Sequence, residues 1–330
     1  MFLLSKKCIE KVINNKINLS YKIDFGGGIG IIEMLNKSNI LALVGGGNAP
    51  KFSKNKIIIY DNHQELVVSQ IRFNSEIINV KIRTDSIIGL IRNRIYILNI
   101  NTLETVDEIE IDTINKHLYG ISYIHSVLIL AFPQNKNKGK IQIEKYSIST
   151  KINKKIKTEI LNAHESNVVY IAVNNDGSLL ASASEKGPHI RLFDTSNGAL
   201  LAELKKGRNG DLIHISFELN NDYIGYVNNI GKIYIYDINK IKKFISSQEK
   251  GKSDLKQNKI EEKKNEIHKI KEKAIFKYKI NEANSIMGFI QPKSLAILTS
   301  EGKFYKASYA YKIGTKCNLI VESFIKVVNK

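Results

Sequence analysis

Short apolar runs separated by turn signals dominate the chain, and long helical stripes of apolar positions do not occur. The runs are rich in Ile, Val, Tyr and Phe, which β-strands favour. Turn sequences such as Asn175-Asp176-Gly177 lie between them. The runs comprise residues 31–35, 40–44, 56–60, 76–82, 86–91, 94–100, 127–132, 140–146, 168–173, 179–183, 189–193, 212–217, 223–227 and 232–236. This pattern predicts an all-β protein.

The runs repeat in units of about 40 to 45 residues, which is the spacing of propeller blades. Several units end on a similar β-rich segment, which we interpret as the outgoing strand of a blade. These segments are residues 56–61, 94–98, 189–194 and 232–237. About six full units lie between residues 25 and 311. We therefore predict a seven-bladed WD40-like β-propeller with an incomplete first blade.

One tract interrupts the repeats. Residues 240–273 contain 12 lysines and 6 acidic residues but few large apolar ones. The spacing of Ile260, Ile267 and Ile270 would also suit a weak amphipathic helix, but disorder is favoured because this composition can bury little area. The predicted segments are a remnant of the first blade (1–24), propeller blades (25–239), a basic disordered loop (240–273) and the last blade with a C-terminal segment (274–330).

The charge of the chain points to an anionic partner. Lys and Arg number 50 against 32 for Asp and Glu, a formal net charge of +18. Such a surplus favours nucleic acid, an anionic membrane surface or phosphate groups, whereas drift toward Lys, Asn and Ile is the alternative explanation. Cys8 and Cys317 are too few for a disulfide framework or a closed zinc site. They indicate a reducing, cytosolic compartment, and no apolar run is long enough to span a membrane.

Motifs for catalysis are absent from the sequence. We find no nucleophile elbow, HExxH, Walker A or EF-hand pattern, and the seven histidines do not cluster at ligand spacings. The glycine clusters at residues 26–30 and 45–47 fit neither GxGxxG nor GxxxxGK, so we interpret them as tight turns between strands. The sequence thus predicts a binding protein rather than an enzyme, with no cofactor and no metal site.

One segment is more specific than generic blade sequence. Residues 181–195 read ASASEKGPHIRLFDT, and residues 204–207 read LKKG. The segment resembles the PROPPINs, seven-bladed propellers that bind polyphosphoinositides, in which ASEKGTxIRxFDT is followed by two arginines and a glycine. The form with leucine before the basic pair is similar to the WIPI-type members. Family patterns also match residues 27–30, 33–35, 39–47, 50–61, 163–165 and 300–306.

The resemblance implies that this one motif forms two lipid sites. Adjacent side chains of an extended strand point to opposite sides, so Lys205 and Lys206 are predicted to serve different pockets. The first predicted pocket contains Lys205, Arg191, His164, Ser182 and Ser184, and the second contains Lys206, Asn228, Asn229 and Lys232. Arg191 offers a planar fork for a phosphate, and the hydroxyl and imidazole groups add hydrogen bonds.

Several positions depart from the family pattern or allow a structural role. Both family arginines are lysines here, which keeps the charge but loses the bidentate fork. The second pocket has two asparagines and Tyr234 where the family has hydroxyl groups and a histidine. Structural alternatives remain: a solvated Lys-Lys-Gly corner, a structural Arg191, a His164 bonded to a neighbouring turn, and packing roles for Ser182 and Ser184.

In the family, a long loop at the place of residues 240–273 dips into the bilayer. Phe244, Ile245 and Leu255 are the predicted inserting side chains. The lysines of the tract would add attraction to an anionic surface, partly offset by its acidic residues. An expanded linker without a role is the alternative.

The resemblance implies a monomeric adaptor in autophagy-related membrane traffic. It would bind phosphatidylinositol 3-phosphate, with the 3,5-bisphosphate as a second candidate lipid, and recruit a lipid-transfer protein of the Atg2 type. The expected location is cytoplasmic, with peripheral recruitment to autophagosomal or endosomal membranes. The alternative is a WD-repeat scaffold for proteins with a degenerate lipid site. Nucleic-acid binding is disfavoured because clustered aromatic residues and arginines are missing.

Overall fold

The structure is a computed structural model, and its described part is built almost wholly of β-strands. The described residues are 2–5, 8–13, 16–21, 23–112, 117–124, 126–134, 137–149, 153–207, 210–253, 271–280, 283–290, 293–309 and 319–326. Their strands form sheets in which nearly all strands pair antiparallel with a neighbour in sequence, and the exceptions involve the short strand at residues 271–272. The predicted all-β class is therefore confirmed.

Six sheets have the four-stranded organisation of propeller blades, and we number them in chain order. A three-stranded N-terminal sheet precedes them, with β1 (Phe2–Ser5), β2 (Cys8–Ile13) and β3 (Lys16–Tyr21). Blade 1 contains β4 (Ile29–Met34), β5 (Ile40–Gly45), β6 (Lys56–Asp61) and β7 (Leu66–Arg72). Blade 2 contains β8 (Ile77–Ile82), β9 (Ser86–Ile91), β10 (Arg94–Asn99) and β11 (Thr105–Glu110). Blade 3 contains β12 (Gly120–Ile121), β13 (Val127–Pro133), β14 (Lys140–Ile148) and β15 (Asn153–Asn162).

Blade 4 contains β16 (Val168–Val173), β17 (Leu179–Ser184), β18 (His189–Asp194) and β19 (Leu200–Lys205). The helix α1 (Ile238–Ser253) and the short strand β23 (Lys271–Glu272) lie between the last two strands of blade 5. That blade contains β20 (Leu212–Phe217), β21 (Tyr223–Asn228), β22 (Lys232–Asp237) and β24 (Phe276–Lys279). Blade 6 contains β25 (Ser285–Ile290), β26 (Ser294–Thr299), β27 (Lys303–Tyr309) and β28 (Leu319–Lys326).

The seven-bladed prediction is wrong, because the propeller of the described residues has six blades. The N-terminal segment that was expected to supply the end of another blade forms only three strands, which pair among themselves in the order β1-β2-β3. Four strands with their turns need about 40 residues, more than this segment provides. Its strand β3 contacts β28 of blade 6.

The hydrophobic core lies between blades rather than inside any one of them. Side chains alternate between the two faces of each strand, and β6 shows the result. Ile57 and Ile59 pack with the strands of blade 2, whereas Ile58 and Tyr60 pack on the opposite face of blade 1. All four are buried. This two-sided burial explains why the middle strands read as continuous apolar runs.

The glycine clusters, which the sequence analysis interpreted as tight turns, are points of close backbone packing. A Cβ at Gly28 would lie 2.0 Å from the carbonyl oxygen of Gly46, and one at Gly45 would lie 1.6 Å from that of Phe52. The amide of Gly28 donates to the carbonyl of Ala49 at 2.7 Å. Only glycine permits such backbone approach, so these residues join two loops of blade 1.

The tract expected to be disordered begins as a helix, which corrects that prediction for residues 240–253. Asp237 caps α1, since its Oδ1 accepts from the amide of Lys240 at 2.9 Å. Ile238 and Ile241 are fully buried between blades 4 and 5, and this burial stabilises the helix. Residues 254–270, with the predicted helical positions Ile260, Ile267 and Ile270, lie outside the described residues.

The chain then returns to the edge of blade 4. Strand β23 pairs in parallel with β19, with Lys271 opposite Glu203 and Glu272 opposite Leu204. Lys240 Nζ lies 3.3 Å from Glu272 Oε2, so an ion pair joins the start of α1 to β23. Both ends of the tract are thus held near β19, the strand that ends at Lys205.

Candidate functional site

A pocket of about 550 Å³ opens between blades 3 and 4, within the size range of small-ligand sites. Three connections form its walls: β13 to β14, β15 to β16, and β17 to β18. The lining residues are Lys138, His164, Glu165, Ser166, Asn167, Ser184, Glu185, Lys186, Gly187, Pro188, His189 and Arg191. His164, Ser184 and Arg191 of the predicted first pocket therefore lie together in one cavity.

His164 is held at the wall of this pocket by a buried serine. Its Nε2 lies 2.9 Å from Ser182 Oγ, and Ser182 is fully buried. Burial, followed by the positive charges of Arg191 and Lys206, lowers the pKa of His164 to about 4. At neutral pH the ring is therefore uncharged, and it can act toward an anion through hydrogen bonding only.

The two predicted serines serve the structure as well as the pocket. Ser184 Oγ accepts from the amide of Gly187 at 3.2 Å and so fixes the turn between β17 and β18. A Cβ at Gly187 would lie 2.5 Å from this oxygen, so a larger residue there would displace the Ser184 hydroxyl. Ser184 is nearly fully buried, yet it lines the cavity.

Arg191 is tied to a buried carboxylate that the sequence reasoning overlooked. The register of β18 and β19 places it opposite Glu203. Its Nε and Nη2 lie 3.0 and 2.9 Å from Glu203 Oε1, and its Nη1 donates to the carbonyl of Ala163 at 2.6 Å. Three of its five donor positions thus face the protein. The predicted bidentate fork is largely directed at Glu203 rather than into the cavity.

Lys206 lies at another pocket than predicted. The amide of Lys206 donates to the carbonyl of Pro188 at 2.8 Å, and its Nζ donates to the carbonyl of Ser184 at 3.3 Å. Lys206 therefore borders the first pocket, and the charge of Asp211, which bonds to Asn229 of the predicted second pocket, also reaches this lysine. Burial lowers its pKa, while Asp211 acts in the opposite direction. Lys205 is exposed, and its carbonyl accepts from Tyr236 Oη at 2.6 Å.

Asn228, Asn229 and Lys232 of the predicted second pocket lie together in blade 5, where the side chains of the two asparagines bond to the protein. Asn228 is buried, and its Oδ1 accepts from the amide of Lys232 at 2.8 Å. Asn229 Oδ1 accepts from the amide of Asp211 at 3.0 Å, and its Nδ2 lies 3.2 Å from Asp211 Oδ2. These contacts fasten the loop after Gly210 to the β21–β22 turn. The Asp211 carboxylate would oppose an anion at this point.

Five charged or titratable pocket residues were missed in the sequence, namely Lys138, Lys186 and His189 and the carboxylates Glu165 and Glu185. Lys138 comes from the β13–β14 connection of the preceding blade, which no motif marked. Lys186 and His189 lie inside the matched motif, so their position beside Arg191 was a usable signal. No group of three or more metal-ligating side chains converges within the described ranges.

The predicted membrane-contact residues differ in exposure. Phe244 lies on α1 with 45% of its surface exposed. Ile245 is partly buried and packs against the core between blades 4 and 5. Leu255 lies outside the described residues. No helix in the described part of the chain has the length and apolarity to cross a bilayer.

Comparison with known proteins agrees with this architecture. Autophagy-related protein 18e of Arabidopsis thaliana is 29% identical over 63% of this chain and 54% of its own length. SVP1-like protein 2 of Saccharomyces cerevisiae is 31% identical over 64% of this chain and 52% of its own length. The chain thus spans about half the length of these curated relatives.

Solved structures share the fold at low sequence identity. Hsv2 of Kluyveromyces lactis, solved with its complete loop 6CD, superposes with a TM-score of 0.74 at 16% identity, covering 99% of this chain and 95% of that one. KlAtg21, solved in complex with the coiled coil of AgAtg16, gives a TM-score of 0.69 at 18% identity and covers 94% of this chain and 90% of that one.

The family assignment rests on a match that spans most of the propeller. The family model described as PROPPIN matches residues 20–254, which include the pocket, both lysines and α1. This range is more than half of the 330 residues. The chain therefore belongs to the PROPPIN family.

Proposed function

We propose that this chain is a phosphoinositide-binding adaptor of autophagy-related membrane traffic that binds its lipid in the pocket between blades 3 and 4. Phosphatidylinositol 3-phosphate is the primary candidate ligand, and the 3,5-bisphosphate is the second. The observation that carries the proposal is the convergence of Arg191 and His164 on one cavity lined by the family motif, with Lys206 bonded to the lining residue Ser184. The proposal is for binding without catalysis.

The electrostatics of the pocket favour a phosphate. Lys206 is partly desolvated, as the lowering of its pKa by burial indicates. A phosphate would restore favourable interactions for this ammonium group, and charge-assisted hydrogen bonds are the strong ones in such surroundings. The neutral His164 adds a hydrogen-bonding group without adding charge.

A membrane-bound adaptor needs a second contact, since one lipid anchor gives modest affinity. The exposed side of α1 provides Phe244 together with Lys240, Lys242 and Lys243. An apolar side chain flanked by cations suits the interface of an anionic bilayer. We accordingly propose a cytoplasmic protein that is recruited peripherally to autophagosomal or endosomal membranes.

We also propose two classes of partner protein for this adaptor. KlAtg21, a structural neighbour, was solved with the coiled coil of AgAtg16. A coiled-coil autophagy protein of that kind is one candidate partner for this propeller. A lipid-transfer protein of the Atg2 type, which the family resemblance implies, is the other.

A protein scaffold with a degenerate lipid site is the alternative function. Two observations favour it: Glu203 occupies much of the donor fork of Arg191, and Asn229 is bonded to an acidic residue at the second site. In this alternative the propeller would bind proteins only.

Vesicle co-sedimentation separates the two functions. Phosphatidylcholine vesicles with and without phosphatidylinositol 3-phosphate are compared for the wild type and for Lys205→Ala/Lys206→Ala. The matched control Lys37→Ala/Lys51→Ala removes the same charge from exposed positions of blade 1. We expect lipid-dependent pelleting of the wild type and control only. Equal pelleting of all three proteins on both vesicle types would support the scaffold.

A further inference from the structure

We propose that Lys138 contacts a second phosphate group in the pocket and so strengthens the binding of a bisphosphorylated inositol headgroup relative to a monophosphorylated one. The inference rests on the proposed function and deepens it, because it assigns a specificity-determining residue that lies outside the basic motif. Lys138 is contributed by blade 3, whereas Arg191 and Lys206 belong to blade 4 and its exit.

The backbone fixes Lys138 at the mouth of the cavity. Its neighbour Gly139 has φ +72°, and a Cβ there would lie 1.8 Å from the carbonyl oxygen of His164. The Gly139 carbonyl accepts from the amide of His164 at 2.8 Å. The β13–β14 connection is therefore seated directly on a pocket residue, and this contact places Lys138 in the lining.

The side chain of Lys138 is available to contact a ligand. Its side chain is exposed, and it makes no ion pair or side-chain hydrogen bond with the residues that the structure describes. By contrast, Arg191 is largely bonded to Glu203, and Lys206 donates to Ser184. Lys138 can therefore turn toward an anion without breaking an existing contact.

The charge balance of the pocket lining makes the binding of a second phosphate depend on Lys138. Three cations, Lys138, Lys186 and Arg191, face two carboxylates, Glu165 and Glu185. Without Lys138 the lining would be electrically balanced, and only the bordering Lys206 would add positive charge. A single phosphate beside Arg191 and Lys206 would still be accommodated. A second phosphate, which adds further negative charge toward the cavity mouth, depends on Lys138.

Calorimetric titration with soluble headgroups tests the assignment. The probes are inositol 1,3-bisphosphate and inositol 1,3,5-trisphosphate, which correspond to the mono- and bisphosphorylated lipids. We expect Lys138→Ala to weaken trisphosphate binding about tenfold and bisphosphate binding less than about twofold. Lys138→Arg should retain most of the selectivity. Lys154→Ala, on the exposed edge strand of the same blade, is the matched control.

The outcomes separate the inference from the function on which it rests. Wild-type binding of both headgroups with Lys138→Ala unchanged, or with both affinities reduced equally, would overturn the role of Lys138 alone. Binding of neither headgroup by the wild type would overturn the proposed function together with the inference. The same variants on vesicles containing either lipid distinguish a membrane lipid from a free inositol phosphate, since binding of the soluble probe alone would identify the latter.

Discussion

The carboxylate of Glu203 holds the guanidinium of Arg191 at the pocket between blades 3 and 4, with Nη2 2.9 Å from Oε1. Glu203 is buried, whereas Arg191 is partly exposed toward the cavity. The pair orients Arg191 and also reduces the charge that it presents to an anion. Glu203 therefore has two opposing effects on the affinity of the pocket for an anion: it positions Arg191, and it neutralises part of the charge of Arg191.

Replacing the carboxylate by an amide should separate these two effects. We expect Glu203→Gln to raise the affinity for inositol 1,3-bisphosphate about threefold, because the pocket loses a negative charge. The free energy of unfolding should fall by about 1–3 kcal/mol, since a largely buried ion pair is weakened. Calorimetry and urea unfolding measure the two quantities, with the exposed Glu104→Gln as control. Unchanged affinity and unchanged stability would show that the pair has neither role.

The depressed pKa of His164 predicts a stability change with pH. The folded protein holds this pKa at about 4, below the 6.5 that is usual for histidine. Between these values the unfolded chain binds more protons, so stability is complete above about pH 6.5 and declines as the pH falls toward 4. The full shift corresponds to about 3 kcal/mol at most. Urea unfolding from pH 4.5 to 7.5 should show a smaller slope for His164→Gln, and equal slopes would contradict the assignment.

The two adjacent lysines should differ in their contributions to lipid binding. Lys206 borders the pocket and bonds to Ser184, whereas Lys205 is exposed. We expect Lys206→Ala to weaken binding to vesicles containing phosphatidylinositol 3-phosphate at least about tenfold, and Lys205→Ala less than about threefold. Vesicle sedimentation of both single variants measures this difference. A larger loss for Lys205→Ala would restore the assignment made from strand alternation.

Two substitutions in α1 should separate the contribution of this helix to stability from its contribution to membrane attachment. Ile241 is fully buried, so Ile241→Ala should lower the free energy of unfolding by about 2–4 kcal/mol. Phe244 is 45% exposed, so Phe244→Ala should leave stability within about 0.5 kcal/mol of the wild type. The same Phe244 variant should reduce retention on anionic vesicles. Full retention would remove α1 from the membrane contact.

The sequence predicted the all-β class and a grouping of Arg191 with His164, because both depend on local patterns. Strand runs and the motif at residues 181–195 read directly as blade 4, and Arg191 and His164 converge there. The number of blades depends on whether a short terminal segment completes a sheet, which its strand pattern does not reveal. The helix α1 was missed because its stability comes from burial of Ile238 and Ile241 and not from composition.

The roles of individual polar residues were less predictable. Alternation along a strand assigned Lys206 to the second pocket, but β19 ends at Lys205, and the chain turns where Lys206 bonds to Pro188. Glu203 was overlooked because its importance depends on its register with Arg191. Lys138 belongs to another blade, so only the packing of Gly139 on His164 brings it to the site.

The pairing of β23 with β19 should make the tract between α1 and β23 tolerant of insertions. Since α1 and β23 anchor its two ends independently of residues 254–270, an insertion between them leaves the propeller unchanged. Doubling the length of a flexible insertion costs only about 0.6 kcal/mol in closure entropy. We therefore expect that reporter peptides or additional lipid-binding sequence can be grafted between α1 and β23.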